Sequence, residues 1–294
     1  MAGIIPPNPQ SANVYDDRTT QAVKSVLLEI GQILGSYRGK FAVIGGAVPW
    51  LLLNQEDMPH VGTLDVDLGL DAEALGDGEY ADLVEELMRH GYNQSELTKD
   101  FQLVREVPSS EGETPIKVVV DFLMPHDAKI KKNRPVLIED FRVLRADGAD
   151  LAIDFNELVA VSGKMPDGGT NTVELAICSI PALLAMKGHA MNGRLKRKDA
   201  YDIYYCVLNY PDGINVLAED CRPILARPSG VEGFRYIDQK FETNESYGPK
   251  SVRIFVEKSN LLGERTADQW QQDAFGQVDS LLRVLGIRTS NRPT

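Results

Sequence analysis

Residues 41–71, FAVIGGAVPWLLLNQEDMPHVGTLDVDLGLD, decide the fold. The apolar run Phe41–Ile44 reads as a short buried strand, Gly45-Gly46 as the turn out of it, and Ala47–Leu53 as a short helix. After a polar connection, Gly62–Leu70 alternates, with Leu64, Val66 and Leu68 on one face and Thr63, Asp65 and Asp67 on the other. Strand residues two apart are roughly 6.6 Å apart along the chain, a separation at which two carboxylates can bracket one or two Mg²⁺ ions. A carboxylate pair of this kind is by itself more often a solvated strand face. Asp121 changes the balance, because it closes the apolar strand Val118–Leu123, where an unpaired charge is costly. Gly45-Gly46 lets the backbone approach a ligand closely, and amides at a helix start suit phosphate. Paired metals clamp the attacking and leaving oxygens of a phosphoryl transfer. The chain has no GxxxxGK[ST], no GxGxxG at this turn and no GxSxG, which disfavours P-loop, dinucleotide-binding and esterase readings.

Outward from this stretch, apolar spacing at Val23, Val26, Leu27, Ile30, Ile33 and Leu34 predicts a helix from Thr20, preceded by a loose arm over residues 1–17. Tyr80–His90 reads as an amphipathic helix ended by Gly91. Strands at Phe101–Val107 and Ile116–Leu123 flank a hairpin loop, Ser109–Glu113. A basic loop (Lys129, Lys131, Lys132, Arg134) precedes short strands near Phe141–Leu144, Glu157–Ser162 and Thr172–Ile177. Ser179-Ile180-Pro181 opens a helix to about Met191, and Asn192-Gly193 separates it from a second, Lys198–Leu208. Ile214–Leu225 reads as helix, Phe234–Phe241 and Val252–Val256 as strands, and Ala267–Leu285 as a long helix. The expected class is α/β (α+β): a mixed sheet flanked by helices in residues 1–178, then a mainly helical half in residues 179–294.

The formal net charge of −12 repels nucleic acid on average, so contact with RNA requires a local basic patch. The Lys129–Arg134 loop and the knot Lys187, Arg194, Lys196, Arg197 and Lys198 are the candidates. Cys178, Cys206 and Cys221 are too scattered for a disulfide framework or a zinc site, which points to a reducing cytoplasm. His60, His90, His126 and His189 fall into no metal-ligand spacing. No apolar run nears the ~20 residues that cross a bilayer, and the first residues lack the pattern of a signal peptide.

The order strand, Gly-Gly turn, helix, DxD strand and later Asp strand resembles the nucleotidyltransferase fold of the DNA polymerase β superfamily. Leu184–Cys206, LAMKGHAMNGRLKRKDAYDIYYC, narrows the resemblance to the AbiEii/AbiGii toxin family. Lys187, Ala190, Arg194, Lys198, Asp199, Tyr201, Asp202 and Tyr204 match that family's KxxAxxxR…(R/K)DxYDxY motif. The likeness spans Phe41–Leu208. It departs at Gly46, where many members carry serine, and at Met58-Pro59-His60, where the family usually has an arginine.

The resemblance implies transfer of a nucleoside monophosphate from an NTP to an acceptor hydroxyl, with pyrophosphate leaving. It implies Asp65 and Asp67 as ligands of Mg²⁺ (or Mn²⁺), and Asp121 helping to hold the metal that activates the acceptor. Gly45, Gly46 and Thr63 would surround the triphosphate, with Lys187, Arg194 and Lys198 as counter-charge. Asp199 would orient a basic residue or meet the acceptor. The implied acceptor is an RNA or tRNA 3′ end or a protein hydroxyl, and the implied partner is a cognate antitoxin in a toxin–antitoxin or phage-defence pair. Two other readings stay open: a transferase acting on a small molecule, and an idle member that binds nucleotide or a protein partner.

Overall fold

The computed structural model describes residues 10–53, 55–76, 78–94, 98–109, 114–126, 128, 143–257 and 259–288. They divide into two compact units, one of residues 17–48 and 62–179 and the other of residues 10–16, 49–61 and 180–288.

The first unit is built on a seven-stranded mixed sheet. Its strands are β1 (Phe41–Ile44), β2 (Asp65–Leu70), β3 (Gln102–Val107), β4 (Ile116–Pro125), β5 (Leu144–Ala146), β6 (Asn156–Lys164) and β7 (Thr170–Cys178). The order is β3-β4-β2-β1-β7-β6, with β5 beside β4. β1 runs antiparallel to β2 and parallel to β7, while β2 and β4 are parallel. β3 and β6 are the antiparallel arms of hairpins with β4 and β7. All four residues of β1 are buried, as a strand in mid-sheet requires.

Helix α1 (Asp17–Ile33) covers one face of this sheet. Gly31 lies so close to β7 that an added Cβ would come within 2.8 Å of Leu175 and Val173. Register then sorts the other strands. Ile177 is level with Val43, Val43 with Leu68, and Leu68 with Phe122, so these residues point to the α1 side. Asp65, Asp67 and Asp121 therefore point to the opposite side. On the α1 side Glu29 is buried and held by Arg105 at 2.8 and 2.9 Å and by the Tyr92 hydroxyl at 2.8 Å. That network satisfies a charge which would otherwise be costly in the core. The unit also contains α3 (Glu79–Arg89) and α4 (Ala149–Asp154), the latter a single turn and a half that the sequence pattern did not announce.

The chain crosses between units in α2 (Ala47–Leu52). The second unit contains α5 (Ile180–Gly193), α6 (Arg197–Asn209), α7 (Ile214–Leu225), α8 (Pro228–Lys240), α9 (Tyr247–Glu257) and α10 (Ala267–Val284). α5 is its centre: nine of its fourteen residues are buried, and its Gly188 admits α8 at backbone contact. A Cβ on Gly188 would lie 2.0 Å from the Gly233 carbonyl oxygen, and one on Gly233 2.3 Å from that of Ala185. α10 begins with a capping box, in which Thr266 accepts from the Gln269 amide and the Gln269 side chain accepts from that of Thr266.

The α/β class, the mixed sheet with flanking helices and the helical C-terminal half are as the sequence predicts. The strands expected at residues 234–241 and 252–256 are instead parts of α8 and α9. Phe234 and Ile237 lie three apart, and Val252, Phe255 and Val256 follow i, i+3, i+4 spacing. Their aromatic and β-branched content suggested strand, and helical packing overrode it. The Lys129–Arg134 loop, residues 110–113 of the hairpin loop and residues 141–142 lie outside the described residues. Among the described residues no helix is long and apolar enough to cross a membrane.

Candidate active site

On the face away from α1, Asp67 and Asp121 stand level on the parallel strands β2 and β4. Asp65 lies two residues earlier on the same face, and all three are half-buried. Each carboxylate has a fixed neighbour. Thr63 Oγ1 donates to Asp65 Oδ1 at 2.8 Å, and Gln102 Nε2 donates to Asp121 Oδ1 at 2.8 Å. The Asp67 carboxylate rests against the turn after β1: a Cβ on Gly45 would fall 1.8 Å from Asp67 Oδ2. Gly45 has φ +73°, so this position needs glycine for its conformation as well as for space. Gly45→Ala is therefore expected to cost on the order of 1–3 kcal/mol and to push the Asp67 carboxylate off its position. A denaturant melt checks the first expectation and the loss of any Asp67-dependent activity checks the second.

Among the described residues no three His, Cys, Asp or Glu side chains are gathered into a metal cage. Mg²⁺ does not require one, since it is held by one or two carboxylates, waters and substrate phosphates. A set of carboxylate oxygens on one sheet face, next to a turn a side chain would fill, fits that mode and suits a hard cation.

Gly46 follows Gly45 in the same turn of the first unit, and the second unit holds Lys187, Arg194, Lys198 and Asp199 in an ion network. Lys187 Nζ lies 2.8 Å from Asp199 Oδ1 and 2.8 Å from Asp202 Oδ2. Arg194 Nε donates to Asp199 Oδ2 at 2.9 Å, and Lys198 Nζ to Asp202 Oδ1 at 2.8 Å. Lys198 and the two aspartates are shielded from solvent, and only Arg194 reaches out, with half its side chain exposed. Burial alone would lower the Lys187 pKa, but the carboxylates of Asp199 and Asp202 hold it above the ordinary lysine range. For Lys198 burial wins over Asp202 and the pKa falls. Burial opposes ionisation of both aspartates, yet the neighbouring cations keep them below the usual carboxylate range.

Two residues of these clusters escaped the sequence reading. Gln102 steadies Asp121, and could have been found by counting back across the β3–β4 hairpin, which sets residue 102 opposite 121. His60 is buried, with Nε2 3.0 Å from Asp202 Oδ1 and its ring 4.7 Å from that of Tyr205. The Tyr205 hydroxyl reaches the carbonyls of Leu53 and Met58 at 3.1 and 3.0 Å, which ties both residues to α6. No local signal marks His60, whose partner is 142 residues away.

Burial, then the positive charge of Lys198, depress the His60 pKa to about 4, against the pull of Asp202. The folded protein thus keeps His60 neutral where the unfolded chain, titrating near 6.5, takes up a proton. Stability supplied by neutral His60 is present above pH 6.5 and is lost as the pH falls toward 4. The expected loss between pH 7 and pH 5 is about 2 kcal/mol. Urea melts at the two pH values check it, and His60→Gln should flatten that part of the dependence.

No protein-family model matches the chain, and no curated protein matches its sequence. Among solved structures it is similar to the Helicobacter pylori protein JHP933, with 12% identity, a TM-score of 0.46, and 92% of this chain and 95% of that one covered. It is also similar to a presumed nucleotidyltransferase of Helicobacter pylori, with 11% identity, a TM-score of 0.46, and 91% and 97% covered.

Proposed function

We propose that this chain is an Mg²⁺-dependent nucleotidyltransferase that moves a nucleoside monophosphate from an NTP to an acceptor hydroxyl. One observation carries the proposal: Asp67 and Asp121 stand level on neighbouring parallel strands, Asp65 shares their face, and the Gly45 turn closes against Asp67. Asp65 and Asp67 would hold Mg²⁺ together with the triphosphate, and the backbone amides of the Gly45-Gly46 turn would meet its phosphates. Bound Mg²⁺ would supply charge to the triphosphate and favour ionisation of the acceptor hydroxyl. The acceptor oxygen bonds to the α-phosphorus, the α–β anhydride bond breaks, and pyrophosphate leaves with the bonding electrons. Asp121, held by Gln102, takes up the acceptor proton.

RNA, tRNA in particular, is the acceptor class this reading favours. The toxin role and a cognate antitoxin rest on the match of Lys187–Tyr204 to the helical motif. The test is incubation of the protein with each labelled NTP, Mg²⁺ and, separately, total RNA, total protein and small hydroxylated compounds. Label in RNA supports the reading, and label confined to small compounds supports the small-molecule alternative. Calorimetric NTP binding with no label in any fraction points to an idle member.

A further inference from the structure

The sequence reads as a loose arm before α1, yet its described part is seated within the second unit. A 3₁₀ turn at Ala12–Val14 buries Ala12. The Gln10 side-chain amide donates to the Leu195 carbonyl at 3.3 Å, and Arg197 Nη1 donates to the Gln10 carbonyl at 3.5 Å. Tyr15 presents its ring to the Lys198 ammonium, 5.4 Å from the centroid, and meets Phe255 edge-on at 5.8 Å. The segment therefore crosses the turn Arg194–Lys198, the densest run of cations in an acidic chain, and helps keep Lys198 only 2% exposed. Beside it Leu195 stands 68% exposed between Arg194 and Lys196, a surface with both apolar and cationic groups to offer.

The attachments are of a releasable kind. These two hydrogen bonds are longer than an ordinary N–H···O bond. The contact with Lys198 is a cation–π interaction rather than an ion pair, and Asp16 is the only formal charge in residues 10–16. Ser11 Oγ is buried without a hydrogen-bond partner, a cost that release removes. A chain of phosphates would bring to this turn the negative charge that Gln10–Tyr15 lacks, and its bases would find the exposed Leu195.

We propose that residues Gln10–Tyr15 form a displaceable strap over the Arg194–Lys198 turn, and that single-stranded RNA takes its place on the turn when the acceptor binds. The choice of RNA rests on the nucleotidyl-transfer reading; the strap itself does not. Two variants test it. Tyr15→Ala loosens the strap, and Gln10→Cys with Leu195→Cys, joined by a short bismaleimide, locks it. The native cysteines are buried, so the introduced pair takes the reagent. Acylation of Lys198 by a water-soluble amine reagent is read by peptide mass spectrometry against Lys117, whose side chain is 48% exposed. Affinity for a single-stranded RNA oligonucleotide is measured on the same samples without NTP, so absence of transfer activity leaves the result readable.

Loosening is expected to raise Lys198 labelling and RNA affinity by about tenfold each, the scale of one partly desolvated cation–π contact. Locking is expected to lower RNA affinity by a similar factor relative to the same double-cysteine protein before crosslinking. RNA affinity unchanged in either variant overturns the proposal, whatever the labelling shows.

Discussion

Asp67→Asn is expected to leave the protein folded and to cut nucleotidyl transfer by on the order of a thousandfold, the loss of several kcal/mol of metal-borne charge stabilisation. The substitution keeps the shape that fits under Gly45, so the turn after β1 has no reason to move. It removes the negative charge at the one position level with both Asp121 on β4 and Ile44 at the end of β1. An amide is a poor ligand for a hard cation that prefers carboxylate oxygen. Transfer rates and thermal melts of the purified variant check both halves. A variant that melts as the parent does and transfers as fast removes Asp67 from the chemistry.

Asp202→Ala acts on the other unit and through stability. Asp202 faces His60 Nε2 at 3.0 Å, Lys198 Nζ at 2.8 Å and Lys187 Nζ at 2.8 Å, all buried. Its removal leaves Lys198 without a carboxylate and Lys187 with Asp199 alone. Breaking one partner out of a buried ion network costs about 3–5 kcal/mol, because the remaining charge stays desolvated. Against a total of about 5–15 kcal/mol, that is enough to lower the denaturation midpoint sharply. Guanidinium melts monitored by circular dichroism read the change. An unshifted midpoint would mean that the network is not closed in solution.

The carboxylate face was legible in the sequence because its signal is local. A period of two sorts Asp65 and Asp67 from Leu64, Val66 and Leu68, and an acid at the end of Val118–Val120 stands out against its neighbours. That Asp121 is level with Asp67 was not legible, since parallel pairing of β2 with β4 is set by tertiary packing. The basic knot shows the same limit. The sequence offers it as a basic patch for RNA, yet Lys198 is 2% exposed, packed with Asp202 one helical turn on, which His60 from a distant segment also meets. α8 and α9 were missed for a different reason: aromatic and β-branched content obscured a helical spacing that Phe234, Ile237, Val252, Phe255 and Val256 do follow. Gly233, a poor helix former, stands in α8 because α5 passes too close for any side chain there.

The central claim is that this chain breaks the α–β anhydride bond of an NTP at a carboxylate-held Mg²⁺ site. Its most direct measurement is product analysis after incubation with each NTP, total cellular RNA and either Mg²⁺ or a chelator. Pyrophosphate formed with Mg²⁺ and absent with the chelator is the predicted result. Release of inorganic phosphate in its place, or no product from any NTP, would contradict it.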